Sequence, residues 1–121
     1  MTNLETARAG YAAFSSGDLD GALALLADDV EWIVPGTSAV SGVFSGKGDV
    51  LELWRRLGER NWTVNPEYWF GEGEHVCVLC HVTLDDGEMD TADLFTFDQG
   101  LVVKFQTAAD TELLARAWPR R

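Results

Sequence analysis

Apolar residues recur along the chain with two different periods. Over residues 1–16, Leu4, Ala7, Tyr11 and Phe14 return at spacings of three and four, the stripe of an amphipathic helix. Thr2 and Glu5 stand three apart ahead of that stripe, as a capping box requires, and Ser16-Gly17 stops it. Asp18 then caps a second short helix whose apolar face is Leu19, Ala22, Leu23 and Leu26. A short strand follows at 30–34 and ends at Pro35-Gly36. Residues 36–48 are rich in glycine, serine and small apolar residues and read as a loop anchored by Val40, Val43 and Phe44. Asp49 and Glu52 suggest another N-terminal cap, and Val50, Leu53, Trp54 and Leu57 form the stripe of a third helix.

From residue 61 the period falls to two. Segments 61–70, 74–84, 88–97 and 101–107 read as four strands. Their separators, Gly71-Glu-Gly73, Asp85-Asp-Gly87 and Asp98-Gln-Gly100, carry turn chemistry short enough to make the strands antiparallel neighbours. Asp110 caps a last short helix at 111–118. Helices followed by an antiparallel meander define an α+β fold, with three N-terminal helices laying their apolar faces on one side of a curved sheet. No repeat, linker or low-complexity stretch interrupts residues 1–121, which read as a single domain.

Strand parity places the candidate chemistry. Asp93, Phe95 and Phe97 share one face of the third meander strand, so a carboxylate stands in line with two phenylalanines. In the preceding strand Val76, Val78, Cys80, Val82 and Leu84 share a face, and Cys77, Leu79, His81 and Thr83 share the other. Both faces are largely apolar, which predicts cover on both sides and makes a second subunit the natural cover for the outer one. The two cysteines point to opposite faces of a strand, which fits structural thiols rather than a redox or zinc pair.

Composition bounds the partners. The chain has 121 residues, 46% of them hydrophobic, and scaling predicts about 6,400 Å² of folded surface against about 19,000 Å² unfolded, enough burial for a core without staples. Twenty acids face nine bases for a net charge of −11, and Lys47 and Lys104 are the lysines. Phosphate neutralisation needs clustered Lys and Arg, so neither nucleic acid nor an anionic membrane surface is an expected partner. No apolar run approaches a membrane span, and Met1-Thr-Asn-Leu-Glu shows no basic segment leading into an apolar one. The expectation is a cytoplasmic protein without cofactor or metal.

The segment from Tyr11 through Gly17-Asp-Leu-Asp-Gly21 to Trp32 resembles the opening of SnoaL-like and ketosteroid-isomerase-like proteins of the nuclear transport factor 2-like superfamily. Ser41-Gly-Val-Phe-Ser-Gly46 and Asp93-Leu-Phe-Thr-Phe-Asp-Gln-Gly-Leu-Val-Val103 also match that pattern. The resemblance covers almost the whole chain. It implies a cone, the cystatin-like α+β roll, in which helices close a strongly bent antiparallel sheet over a deep apolar pocket. It also implies a homodimer through the outer sheet face. The fold hosts isomerases, cyclases, dehydratases, epoxide hydrolases and silent binding modules, so the residues must choose among them.

A ketosteroid isomerase uses an Asp base with a Tyr and a protonated Asp as oxyanion hole. Aligned without gaps on Gly17–Gly21, this chain places Val34 at the base and Gly10 at the Tyr, with Tyr11 one position late; Asp93 matches the second carboxylate. That mechanism therefore lacks its base. The epoxide-hydrolase pattern needs an Arg between two pocket Asp residues, and no Arg occurs between Arg60 and Arg116. Scytalone-dehydratase-like chemistry, which wants pocket histidines beside Tyr and Asp, is left open by His81 and Tyr11. The SnoaL-like cyclase pattern remains, with Asp93 as its acidic group.

Desolvation in an aromatic pocket would raise the pKa of Asp93 and suit it to general acid or base work. The plainer reading makes it a strand-end carboxylate bonded to backbone or water. Tyr11, Phe14, Trp32, Val34, Trp54, Phe95 and Phe97 are the expected pocket lining; for Trp32 and Trp54, core packing competes with ligand stacking. For His81 a dimer contact competes with a pocket role. Two functions remain: cofactor-independent acid–base chemistry on a small apolar, carbonyl-containing compound, or a non-catalytic ligand-binding or accessory dimer.

Overall fold

The computed structural model describes residues 1–120. Helix α1 (Asn3–Ser15) opens with the capping box: Glu5 N–H donates to Thr2 Oγ1 at 3.1 Å, and Thr2 N–H donates to Glu5 Oε1 at 2.8 Å. Asp18 caps α2 (Leu19–Leu23) by accepting from Gly21 N–H at 2.9 Å. Strand β1 (Leu26–Val34) begins four residues before the position that sequence suggests, because Leu26 pairs with Val102 far along the chain.

The glycine-rich segment is not all loop. It contains strand β2 (Gly42–Ser45), which pairs antiparallel with β1. Val40 is fully buried and Phe44, opposite Trp32, half-buried, but Val43 pairs with Ile33 on the outer face and is exposed. Helix α3 (Gly46–Gly58) also starts early, so Asp49 lies inside its first turn and accepts from Ser45 N–H at 3.3 Å. Val50, Leu53 and Trp54 are its buried stripe. Burying one such aliphatic side chain contributes about 1.5–3 kcal/mol.

Strands β3 (Thr63–Glu72), β4 (His75–Leu84), β5 (Gly87–Asp98) and β6 (Leu101–Ala108) form the meander, and α4 (Thr111–Ala117), capped by Asp110, closes the chain. The β5–β6 turn is Gln99-Gly100 with φ of 51° and 81°, the doubly positive geometry that a tight two-residue hairpin demands. The six strands lie in the order β2-β1-β6-β5-β4-β3 in one curved, unclosed sheet. Register shifts in the β1–β6, β3–β4 and β5–β6 pairs add local twist that bends it.

One pairing differs from the all-antiparallel sheet expected from sequence: β1 runs parallel to β6. Parallel neighbours need a crossover, and here it is nearly the whole domain between them. Helices α1 and α3 and the inward residues of every strand enclose the core, which includes Val30, Leu53, Val78, Phe97 and Leu113. Cys77, Leu79, His81 and Thr83 form the opposite face of β4, where Leu79 is 38% exposed. Among the described residues no helix is long and apolar enough to cross a membrane.

Candidate functional site

Alternation along β5 sends Met89, Thr91, Asp93, Phe95 and Phe97 inward. The stripe of α1 brings Ala7, Tyr11 and Phe14 over that face, α3 contributes Leu53, Trp54 and Leu57, and β1 contributes Trp32 and Val34. Between them lies a cavity offering about 110 Å³ to the centres of water molecules, inside an envelope of about 950 Å³ that includes its open mouth. Among the described residues its wall holds no Lys, Arg or His, and Asp93 is its one carboxylate. Trp32 stacks on Phe105 at 3.8 Å between ring centroids and meets Trp54 edge-on at 5.4 Å. Phe14 meets the other side of Trp54 at 5.5 Å.

Asp93 is 6% exposed and both of its oxygens are engaged. Tyr11 Oη donates to Oδ2 at 2.6 Å, and Thr107 Oγ1 donates to Oδ1 at 2.7 Å. The Cys80 Sγ lies 3.6 Å from Oδ2 and 3.7 Å from the Tyr11 oxygen. Tyr11 is held in place by its ring, which meets Trp69 at 5.5 Å and Phe95 at 5.6 Å, both edge-on.

Burial pushes the Asp93 carboxyl above the ordinary aspartate range, against the opposing pull of hydrogen bonds from Tyr11 and Thr107. Among the described residues only hydroxyls and a thiol stand against its charge. Burial, and then the neighbouring Asp93 charge, raises the Tyr11 phenol as well. The Cys80 thiol is pushed up to about 12 by the same two causes in the same order. Ionising any one of the three makes ionising the others harder. The cluster therefore offers one exchangeable proton on Asp93, beside a phenol that stays neutral.

Tyr11, Phe14, Trp32, Val34, Trp54, Asp93 and Phe95 line the cavity. Phe97 does not. It shares their face, but the β5–β6 register shifts between Thr96 and Phe97, and Phe97 pairs with Val102 near the end of the strand. There it is core, 1% exposed, behind Phe95 at 6.3 Å. His81 lies on the outer face, its Nδ1 2.9 Å from Asp90 Oδ1 and its Nε2 3.6 Å from Glu88. The open histidine-assisted reading is thereby corrected, because strand parity turns His81 away from Tyr11 and Asp93. Among the described residues no three His, Cys, Asp or Glu side chains cluster as metal ligands would.

Sequence reasoning missed Thr91, Thr107, Trp62 and Phe105 on the wall. Thr91 had a signal, since it stands two residues before Asp93 with the same parity. Thr107 had none that counting supplies: stepping back evenly from Gln99-Gly100 pairs Asp93 with Gln106, and the one-residue bulge near Val103 brings Thr107 opposite instead.

Proteins of known structure share this fold. An NTF2-like protein of unknown function from Burkholderia pseudomallei is 28% identical over 99% of this chain and 100% of its own, with a TM-score of 0.85. A protein of unknown function with a cystatin-like fold from Xanthomonas campestris is 19% identical over 99% of this chain and 100% of its own, with a TM-score of 0.91. TerC, co-crystallised with polyporic acid, is 23% identical over 95% of this chain and 96% of its own, with a TM-score of 0.82. No functionally curated protein matches the chain. The family model of the SnoaL-like domain matches residues 7–105, most of the length and every cavity-lining residue except Thr6, Thr107, Ala109 and Leu114, so the chain belongs to the SnoaL-like domain family.

Proposed function

We propose that the cavity binds a small apolar compound through a carbonyl oxygen placed against Tyr11, with Asp93 in its protonated form. The observation that carries this reading is the 2.6 Å Tyr11–Asp93 hydrogen bond inside a largely apolar wall that holds no cation among the described residues. When Asp93 is ionised, the phenol proton is committed to its carboxylate. When Asp93 is protonated, its own O–H donates to the Tyr11 oxygen and frees the phenol proton for the ligand. A carbonyl is then polarised by a donor whose strength comes from the acid behind it.

Such a site supports general acid chemistry without a cofactor, a contribution typically of 10²–10⁴ in rate. Among the described residues the wall supplies no acid–base side chain beyond Asp93 and its phenol partner, so a proton lost from the substrate's carbon would have to pass to water. That same shortage favours a second reading, a binding module that grips a carbonyl compound without turning it over.

Calorimetric titration with 1-tetralone, a two-ring ketone, tests the carbonyl site. Binding should weaken as pH rises through the Asp93 pKa and should weaken in Tyr11→Phe at every pH. A pH-independent affinity, indifferent to Tyr11→Phe, defeats the proposal. Proton exchange at the ketone's α-carbon, followed by NMR in heavy water, separates catalysis from binding.

We also infer that a second copy of this chain covers the outer sheet face, where Leu79, Tyr68 and Phe70 are exposed beside Cys77 and Leu94. Sedimentation of a Phe70→Lys, Leu79→Lys double variant should give a monomer where the wild type gives a dimer; a wild-type monomer overturns the inference. The two free thiols fit a reducing compartment, the cytoplasm, and cell fractionation checks that placement.

A further inference from the structure

A protonated carboxyl has one proton to donate, and Asp93 holds a hydroxyl at each of its oxygens. Thr107 Oγ1 lies 2.7 Å from Oδ1 and Tyr11 Oη lies 2.6 Å from Oδ2. Each hydroxyl also carries one proton of its own. The hydroxyl that accepts from the acid must send its own proton elsewhere, while the other goes on donating. Where the acid keeps its proton therefore depends on which hydroxyl has somewhere else to donate.

The two are not equal. Among the described residues the second acceptor in reach of Thr107 is the Ala108 carbonyl at 3.5 Å, the outer limit of a hydrogen bond. Tyr11 stands on the cavity wall, where the oxygen of a ligand can take its proton. Thr107 does best by donating to Oδ1, and Tyr11 can accept from Oδ2 and still donate. The β5–β6 register shift is what sets Thr107 rather than Gln106 opposite Asp93. A single hydroxyl thus stands where an amide would have offered Oδ1 a donor and an acceptor together. The titratable groups facing Asp93 are Tyr11 from α1 and Cys80 from β4. Cys80 and Thr91 favour its ionised form less strongly than Tyr11 and Thr107 do.

We propose that Thr107 is a positioning residue: by donating to Oδ1 it holds the acid's proton on Oδ2, so the chain of hydrogen bonds runs from Thr107 through Asp93 and Tyr11 to the ligand. This rests on the carbonyl site proposed above and gives that site its direction. A chain running this way ends in a phenol proton aimed into the cavity; a chain running the other way ends at the Ala108 carbonyl and leaves the ligand no donor.

Thr107→Val keeps a β-branched side chain on the strand and removes the donor, while Thr107→Ser keeps the donor. Calorimetric titration with 1-tetralone from pH 5 to 9 compares them with wild type, whose affinity should hold a low-pH plateau and fall as Asp93 ionises. Thr107→Val should lower the plateau about 2- to 5-fold, because only molecules with the proton on Oδ2 present the phenol donor. It should also move the fall to higher pH by about half a unit to one unit, since the lost bond favours the ionised carboxylate. Thr107→Ser should restore both. In a Tyr11→Phe background Thr107→Val should leave the plateau where it is. An unchanged plateau, a fall that stays in place, a serine variant no better than valine, or the same cost with and without the phenol oxygen overturns the proposal.

If 1-tetralone binds neither wild type nor variants, the carbonyl reading falls, and carbon NMR of the Tyr11 Cζ without ligand decides the role of Thr107. The phenol accepts from the protonated acid and donates to the carboxylate, so its resonance should step at the Asp93 titration. A step that shrinks in Thr107→Val and returns in Thr107→Ser upholds the direction of the chain; a step that is the same in all three overturns it.

Discussion

Replacing Tyr11 by Phe removes one oxygen and leaves the ring between Trp69 and Phe95. The lost interaction is the hydrogen bond with Asp93, and its worth depends on the charge of that carboxyl. Against a neutral carboxylic acid such a bond contributes about 1 kcal/mol; against a carboxylate it contributes about 1.5–3 kcal/mol. Asp93 has a folded-state pKa above its unfolded value of about 3.9. Its contribution to wild-type stability is therefore full below that unfolded value and is lost as pH rises through the folded pKa.

Tyr11→Phe removes a bond that favours the ionised form, so it moves the folded pKa further upward and deepens the loss at high pH. The expected cost is about 1 kcal/mol in acid, widening to about 2 kcal/mol once Asp93 ionises in the folded state. Urea unfolding followed by tryptophan fluorescence between pH 5 and 9 measures it. The same substitution in an Asp93→Asn background should show a cost that does not vary with pH. A gap between wild type and Tyr11→Phe that stays flat or narrows with rising pH would refute the coupling between phenol and carboxyl.

Three further outcomes follow from the same site. Asp93→Asn should gain stability relative to wild type as pH rises, since the amide never has to ionise in the cavity; pH-series unfolding checks the slope, and carboxyl-carbon NMR of wild type should give a titration above the ordinary aspartate range. Phe97→Ala should cost about 3–5 kcal/mol, as for a fully buried aromatic, without changing ketone affinity per folded molecule, whereas Phe95→Ala should lower both; calorimetry beside denaturation separates them. His81→Gln should leave the Asp93 carbon titration where it is, because His81 meets Asp90 and Glu88 on the far side of the sheet.

Local patterns in the sequence carry local structure well. The Thr2–Glu5 capping box, the Asp18 and Asp110 caps, the stripes of α1 and α3 and the parity of β4 and β5 are all written within a few residues of where they act. Asp93 was legible because a charged residue in an inward row of phenylalanines breaks a short pattern. Its partners were not. Tyr11 is eighty-two positions away, and an ungapped alignment that sets Gly10 against a family Tyr says nothing of how far a phenol reaches from the next residue. Thr107 depends on a bulge, Phe97 on where the cavity ends, and β2 on the pairing that β1 offers. Each is decided by tertiary packing rather than by propensity.

The parallel pairing of β1 with β6 also fixes when this molecule comes into being. Strands β1 and β2 join the rest of the sheet only through β6, the last strand of the chain. Tyr11, Phe14 and Trp32 leave the ribosome well before the wall they face, Asp93 and Phe105. The N-terminal third cannot settle stepwise as it is synthesised; its apolar surface waits for the C-terminal hairpin. Closing a loop of nearly the whole domain is an entropic toll collected before most native contacts form, so folding should be slow for a chain of this length. A nascent chain stalled before β6 should be open to proteases, and a ligand of the cavity can rescue only the completed protein.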